Sequence, residues 1–160
     1  MGTLVGIYIA DGAGAPMRSV AEAQLVSGRG IVGDRYFEGT GRFSPVVQEP
    51  AHEITLVEIE QLTQFNAAHG LTFRPEDLRR NLVTSGVRLN ALVGVEFVIG
   101  RVVLQGIRLC EPCDYLAGLT RYEVLSGLIH RGGLRAGIVT GGPVNLHDPV
   151  AVANRHAPPS

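Results

Sequence analysis

The sequence predicts a mainly β, α+β domain: a curved, mostly antiparallel β-barrel with two or three added helices. Three observations lead there. Apolar runs are short and rich in β-branched residues, and turn formers are frequent, with Gly 21 and Pro 9 in 160 residues. Strand-like runs also fail to alternate regularly with helical ones, as a doubly wound parallel sheet would require. The length suits one domain, 1–160, with its core between Leu4 and Ala153.

Thr3 to Ala10 reads as a first strand, with Val5, Ile7 and Ile9 on one face. Asp11 to Pro16 is a loop, and Met17 to Val26 favours strand over helix because Gly28-Arg29-Gly30 soon follows. Gly30 to Tyr36 is a glycine-bracketed turn carrying Asp34-Arg35, expected to be structural, and Gly39 to Pro50 is a long loop, a candidate lid. Glu53 to Val57 alternates as a short strand. Glu58 to His69 repeats apolar residues at helical spacing through Ile59, Leu62 and Phe65, and Gly70 stops it. Pro75-Glu76-Asp77 starts a turn with acidic residues where the helix dipole favours them. Leu82 to Thr84 is a strand ended by Ser85-Gly86. Val95 to Ile99 and Arg101 to Leu109 are two strands hinged at Gly100. Tyr122 to His130 is helical in pattern, with His130 as its C-terminal cation or, since imidazole titrates near neutrality, a candidate for acid-base work. Leu134 to Thr140 and Val150 to Ala153 close the fold around Gly141-Gly142-Pro143, and the tail from Arg155 is expected to fray.

Composition narrows the function. A net charge of −1 gives no overall basic field, so nucleic acid is not the expected partner. No apolar run approaches the ~20 residues that span a bilayer, and the N-terminus lacks the charged and apolar regions of a signal peptide. The only cysteines, Cys110 and Cys113, are too close in sequence to staple a long loop. Reduced thiols in a cytoplasm are the expectation. All 14 basic residues are arginine. Without lysine the chain cannot hold pyridoxal phosphate as a Schiff base, and a bound anion meets guanidinium forks or backbone amides.

Cys110-Glu111-Pro112-Cys113 sits where the apolar run Val102 to Leu109 ends. Thiolate is the reactive form of cysteine, and a helix N-terminus or a nearby guanidinium stabilises it. Structural zinc is disfavoured, since one Cys pair stands without a matching His pair. Dithiol redox chemistry through Cys110 and Cys113 is possible, as is a soft thiolate holding a metal whose anionic tail meets Arg79, Arg80, Arg108, Arg131 and Arg135. Buried, inert thiols in a non-catalytic binding module are the plain alternative. Asn81 is a candidate ligand contact or a turn cap.

Taken in order, Gly30-Ile31-Val32-Gly33-Asp34-Arg35-Tyr36, Arg79-Arg80-Asn81-Leu82-Val83, Cys110-Glu111-Pro112-Cys113 and His130-Arg131-Gly132-Gly133-Leu134-Arg135-Ala136 resemble the MOSC domain. That module stands at the C-terminus of molybdenum cofactor sulfurases, in amidoxime-reducing molybdoenzymes and in small standalone bacterial proteins. The resemblance runs from Val5 to Val150 and implies a β-barrel-like fold. It implies molybdenum cofactor (molybdopterin) as ligand, with Cys113 as molybdenum ligand or as persulfide carrier. It further implies that Arg79 and Asn81 contact the pterin and its phosphate. The activity implied is reduction of N-hydroxylated compounds or sulfur transfer, and the partner is the cofactor or a sulfur donor or acceptor protein. A second thiol at Cys110 could resolve a persulfide on Cys113 as a disulfide.

Overall fold

The computed structural model describes residues 2–12, 14–35, 37, 53–110 and 132–153. Among them lie eleven strands, one α-helix and two 3₁₀ turns. The strands are β1 (Gly2–Ala10), β2 (Met17–Ser19), β3 (Glu22–Val26), β4 (Gly30–Ile31), β5 (Ile54–Glu58), β6 (Leu82–Ser85), β7 (Glu96–Ile99), β8 (Val102–Leu109), β9 (Leu134–Thr140), β10 (Gly142–Asn145) and β11 (Pro149–Val152). Helix α1 (Ile59–His69) follows β5, and the 3₁₀ turns are Pro75–Leu78 and Leu89–Leu92. The expected helix over 122–130 and the loop over 39–50 lie outside the described residues. No described helix is long and apolar enough to cross a membrane.

Seven strands close on themselves in the order β1-β6-β5-β9-β8-β7-β11, because β11 pairs with β1 at Gly2↔Val150. Closure removes the open edges that would otherwise invite association. Strand β2 hangs on β1, and β10-β3-β4 form a small separate sheet. All pairings between strands are antiparallel except β5–β6, which are parallel. The parallel pair needs a crossover, and α1 with the Pro75–Leu78 turn supplies it.

Alternation along the strands sorts side chains between two apolar layers. Leu4, Ile7, Ile54, Leu56, Leu82, Phe97, Leu104 and Leu134 belong to the larger cluster that fills the barrel. Val57 and Val83 face the other way and meet Leu62 and Phe65 of α1 in a second cluster. This explains why Ile54 to Val57 are all buried although the sequence reads as a half-exposed strand: α1 covers the outer face. The sequence also places Val5 with Ile7 and Ile9. A bulge between Leu4 and Gly6 resets the alternation, turning Val5 to solvent and Leu4 into the barrel. The helix ends where expected: Gly70 takes the left-handed φ of 64° and returns its N–H to the Asn66 carbonyl.

Candidate functional site

Strands β8 and β9 are neighbours, so the chain leaving Leu109 and the chain entering Leu134 stand side by side. Between them run residues 111–131, which carry Cys113, His130 and Arg131 and lie outside the described residues. The two ends of that connection are held together. The Cys110 N–H donates to the Gly133 carbonyl at 2.7 Å. Arg80, only 7% exposed, donates through Nε to the Gly132 carbonyl at 2.7 Å and through an Nη to the Cys110 carbonyl at 3.1 Å. A further bond reaches the Leu78 carbonyl. One planar guanidinium thus clamps both ends of the segment, a task suited to its rigid fork of donors. Gly133 completes the closure: a Cβ there would collide with the Leu56 carbonyl, and its φ is +114°.

Asn81, immediately before β6, is fully buried. Its Oδ1 accepts from the Thr55 N–H and hydroxyl, and its amide donates to the Tyr8 carbonyl. Arg79 adopts a left-handed φ of 58°, unusual for a residue with a side chain. Arg79 donates to the Ala15 carbonyl at 2.6 Å, while Arg35 donates to the carbonyl of Arg79 at 2.9 Å. Arg35 also pairs with buried Asp34 at 3.2 Å, and Asp34 accepts from the Ala10 N–H. The Gly-Asp-Arg turn, the Arg-Arg-Asn stretch and both ends of the cysteine segment therefore form one buried polar network. Every described member bonds backbone groups, which fixes four distant chain segments relative to one another.

The remaining arginines stand differently. Arg108 on β8 lies directly opposite Arg135 on β9, with Arg108 exposed and Arg135 half-buried. Directly opposed like charges destabilise a sheet unless an anion or carboxylate sits between or beside them. Arg135 also aligns with Thr55 on β5. A row therefore crosses the outer wall from Tyr8 through Asn81, Thr55 and Arg135 to Arg108. Burial, with Glu76 adding to it, raises the Tyr8 phenol above its ordinary value.

Cys110 is 1% exposed and buried against the barrel, which weighs against it as an attacking thiol. No group of three or more His, Cys, Asp or Glu side chains gathers among the described residues. The sequence reading missed Glu53, a buried carboxyl just before β5 that accepts from the N–H groups of Gly28 and Ile138. The one available signal was a charged residue heading an otherwise apolar strand.

Comparison with known proteins agrees with this architecture. No curated protein matches the chain in sequence. The crystal structure of YuaD from Bacillus subtilis superposes with a TM-score of 0.79 at 20% identity, covering 95% of this chain and 96% of that one. YiiM from Geobacillus stearothermophilus gives 0.72 at 13% identity over 97% of this chain and 76% of that one. YiiM from Escherichia coli gives 0.68 at 16% identity, covering 98% and 72%. The profile of the MOSC domain matches residues 44–151, well over half of the sequence. The chain belongs to the MOSC-domain family.

Proposed function

We propose that this protein binds molybdenum cofactor, or carries sulfur for it, through the segment between Cys110 and Gly132. Family membership is the ground, and the observation that carries the reading to particular residues is the Arg80 clamp on the two ends of that segment. The donor set fits such a ligand at its anionic end. Arg108 and Arg135, opposed across β8 and β9 beside the clamp, carry guanidiniums of the kind that make bidentate contacts to a phosphate. When bound, the cofactor supplies a molybdenum centre held by sulfur. The thiolate of Cys113 is the soft protein ligand suited to that centre, or else the sulfur carrier. Arg131 adds a further anion contact. Arg79, Arg80 and Asn81 serve the site through the backbone they hold.

The deciding experiment is elemental analysis for molybdenum together with intact mass, on wild type and Cys113→Ser from a cofactor-producing host. Molybdenum in the wild type that is lost in the variant assigns Cys113 as metal ligand and directs attention to reduction of N-hydroxylated compounds. A gain of one sulfur on the wild type alone, without metal, assigns a carrier. Absence of both signals refutes the reading.

A further inference from the structure

On the outer wall of the barrel, a cavity of about 370 Å³ opens between the β3–β4 turn and the faces of β8 and β9. Its described lining includes Ser27 and Gly28 from the turn, Gln105 and Ile107 from β8, Ile138 and Val139 from β9, and Glu53. The volume falls at the small end of sites that hold small molecules, roughly 300–1,000 Å³. Glu53 is only 6% exposed. Its Oε1 is held by two backbone donors, the Gly28 N–H at 2.7 Å and the Ile138 N–H at 3.3 Å. Ser27 does not help, because its hydroxyl donates to the Ile138 carbonyl at 2.8 Å. Oε2 has no hydrogen-bond donor among the described residues and belongs to a side chain lining the cavity.

A carboxyl this buried ordinarily has its hydrogen-bonding capacity met. Here two amides fix its orientation and leave one oxygen toward an otherwise largely apolar space. Gln105, directly across the β8–β9 ladder from Gly137, adds a single amide to the rim. Oε2 is left open to a donor from within the cavity, whose lining also includes Ile107 and Val139.

We propose that this cavity is a binding site for a small organic amine, whose N–H donates to Glu53 Oε2 and whose apolar body lies against Ile107, Ile138 and Val139. An ammonium restores the charge partner that burial denies the carboxylate. Burial raises the Glu53 carboxyl above its ordinary value, as expected of a carboxylate lacking a cation. The site uses none of the residues assigned to cofactor, so it stands or falls independently of that reading.

The test is binding of benzylamine to the full-length, metal-free protein, followed by the ¹³C signal of the Glu53 carboxyl and by calorimetry, with benzyl alcohol as the uncharged comparison. Saturable one-site binding is expected, about tenfold or more tighter for the amine than for the alcohol. Glu53→Gln should lose at least about tenfold in benzylamine affinity. Ile107→Trp, which enlarges a side chain lining the cavity and leaves the carboxyl in the sequence, should abolish binding while melting as a folded protein. The second variant decides the matter even if Glu53→Gln folds poorly. Absence of saturable binding to wild type overturns the proposal. Equal affinity for amine and alcohol, or undiminished binding to Ile107→Trp, overturns it as well.

Discussion

Replacing Arg80 by Met tests how the cysteine segment is held. The change keeps a long apolar stem and deletes every donor. Two bonds are short, to Gly132 at 2.7 Å and Cys110 at 3.1 Å, and the third, to Leu78 at 3.3 Å, is weak. Hydrogen bonds to a charged group contribute about 1.5–3 kcal/mol each, so the two short ones contribute roughly 3–6 kcal/mol. Removing a buried guanidinium also removes its desolvation cost, which offsets part of the loss. A net destabilisation of about 3 kcal/mol follows, or a fall of roughly 6–12 °C in Tm for a domain of this size. Arg80→Lys should lie between variant and wild type, because one ammonium cannot span two carbonyls as a planar fork does. Urea unfolding gives the energy, and amide exchange locates it: the Cys110 N–H, bonded to the Gly133 carbonyl, should lose protection beyond the global change. A loss under about 1 kcal/mol with unchanged Cys110 exchange would refute the clamp.

Two further outcomes follow from the same geometry. Gly133→Ala should prevent stable folding or lower Tm by more than the Arg80 change. Its Cβ meets the Leu56 carbonyl across β5, and neither backbone can yield without breaking the β5–β9 ladder; circular dichroism of the purified variant checks this. Glu53 predicts a pH dependence: burial raises its carboxyl above 4.5, so the folded state holds the proton more tightly than the unfolded chain. The stability it contributes is full below the unfolded value and is lost as pH rises through the folded one. Glu53→Gln escapes that loss, so its Tm relative to wild type should improve as pH rises above the ordinary carboxylate range, and parallel curves would contradict the assignment.

Much of the barrel was legible because alternation and turn chemistry agree along most strands. Gly70 marks the end of α1, Gly100 marks the β7–β8 hairpin, and the Val102 to Leu109 and Leu134 to Thr140 runs became the central antiparallel pair. What sequence could not supply was pairing across distance. The parallel β5–β6 contact depends on α1 folding back over the wall, and the Leu4/Gly6 bulge depends on register against Thr84 and Val83. The short strands β4 and β10 exist only because β3 lies between them, whereas locally Gly30-Ile31 reads as part of a turn. Glu53 is the same case in a side chain: one donor that orients it stands 85 residues later, in β9.

The site motifs show why residue type alone leaves a role open. Arg79, Arg80 and Asn81 have the chemistry of ligand contacts, and the sequence reads them so. In the fold they sit where a 3₁₀ turn, β6 and the mouth of the β8–β9 connection meet, and they bond backbone carbonyls outside the strand ladders there. Buried carbonyls without donors are costly, and in a chain without lysine only arginine brings a cation to them. An arginine at such a point therefore shapes the frame of a site, whatever ligand the site holds. Arg108 and Arg135 escape that demand because their backbone neighbours are already paired in the β8–β9 ladder. Arg108, exposed on β8 close to the start of the connection, is the guanidinium best placed to meet a ligand's charge.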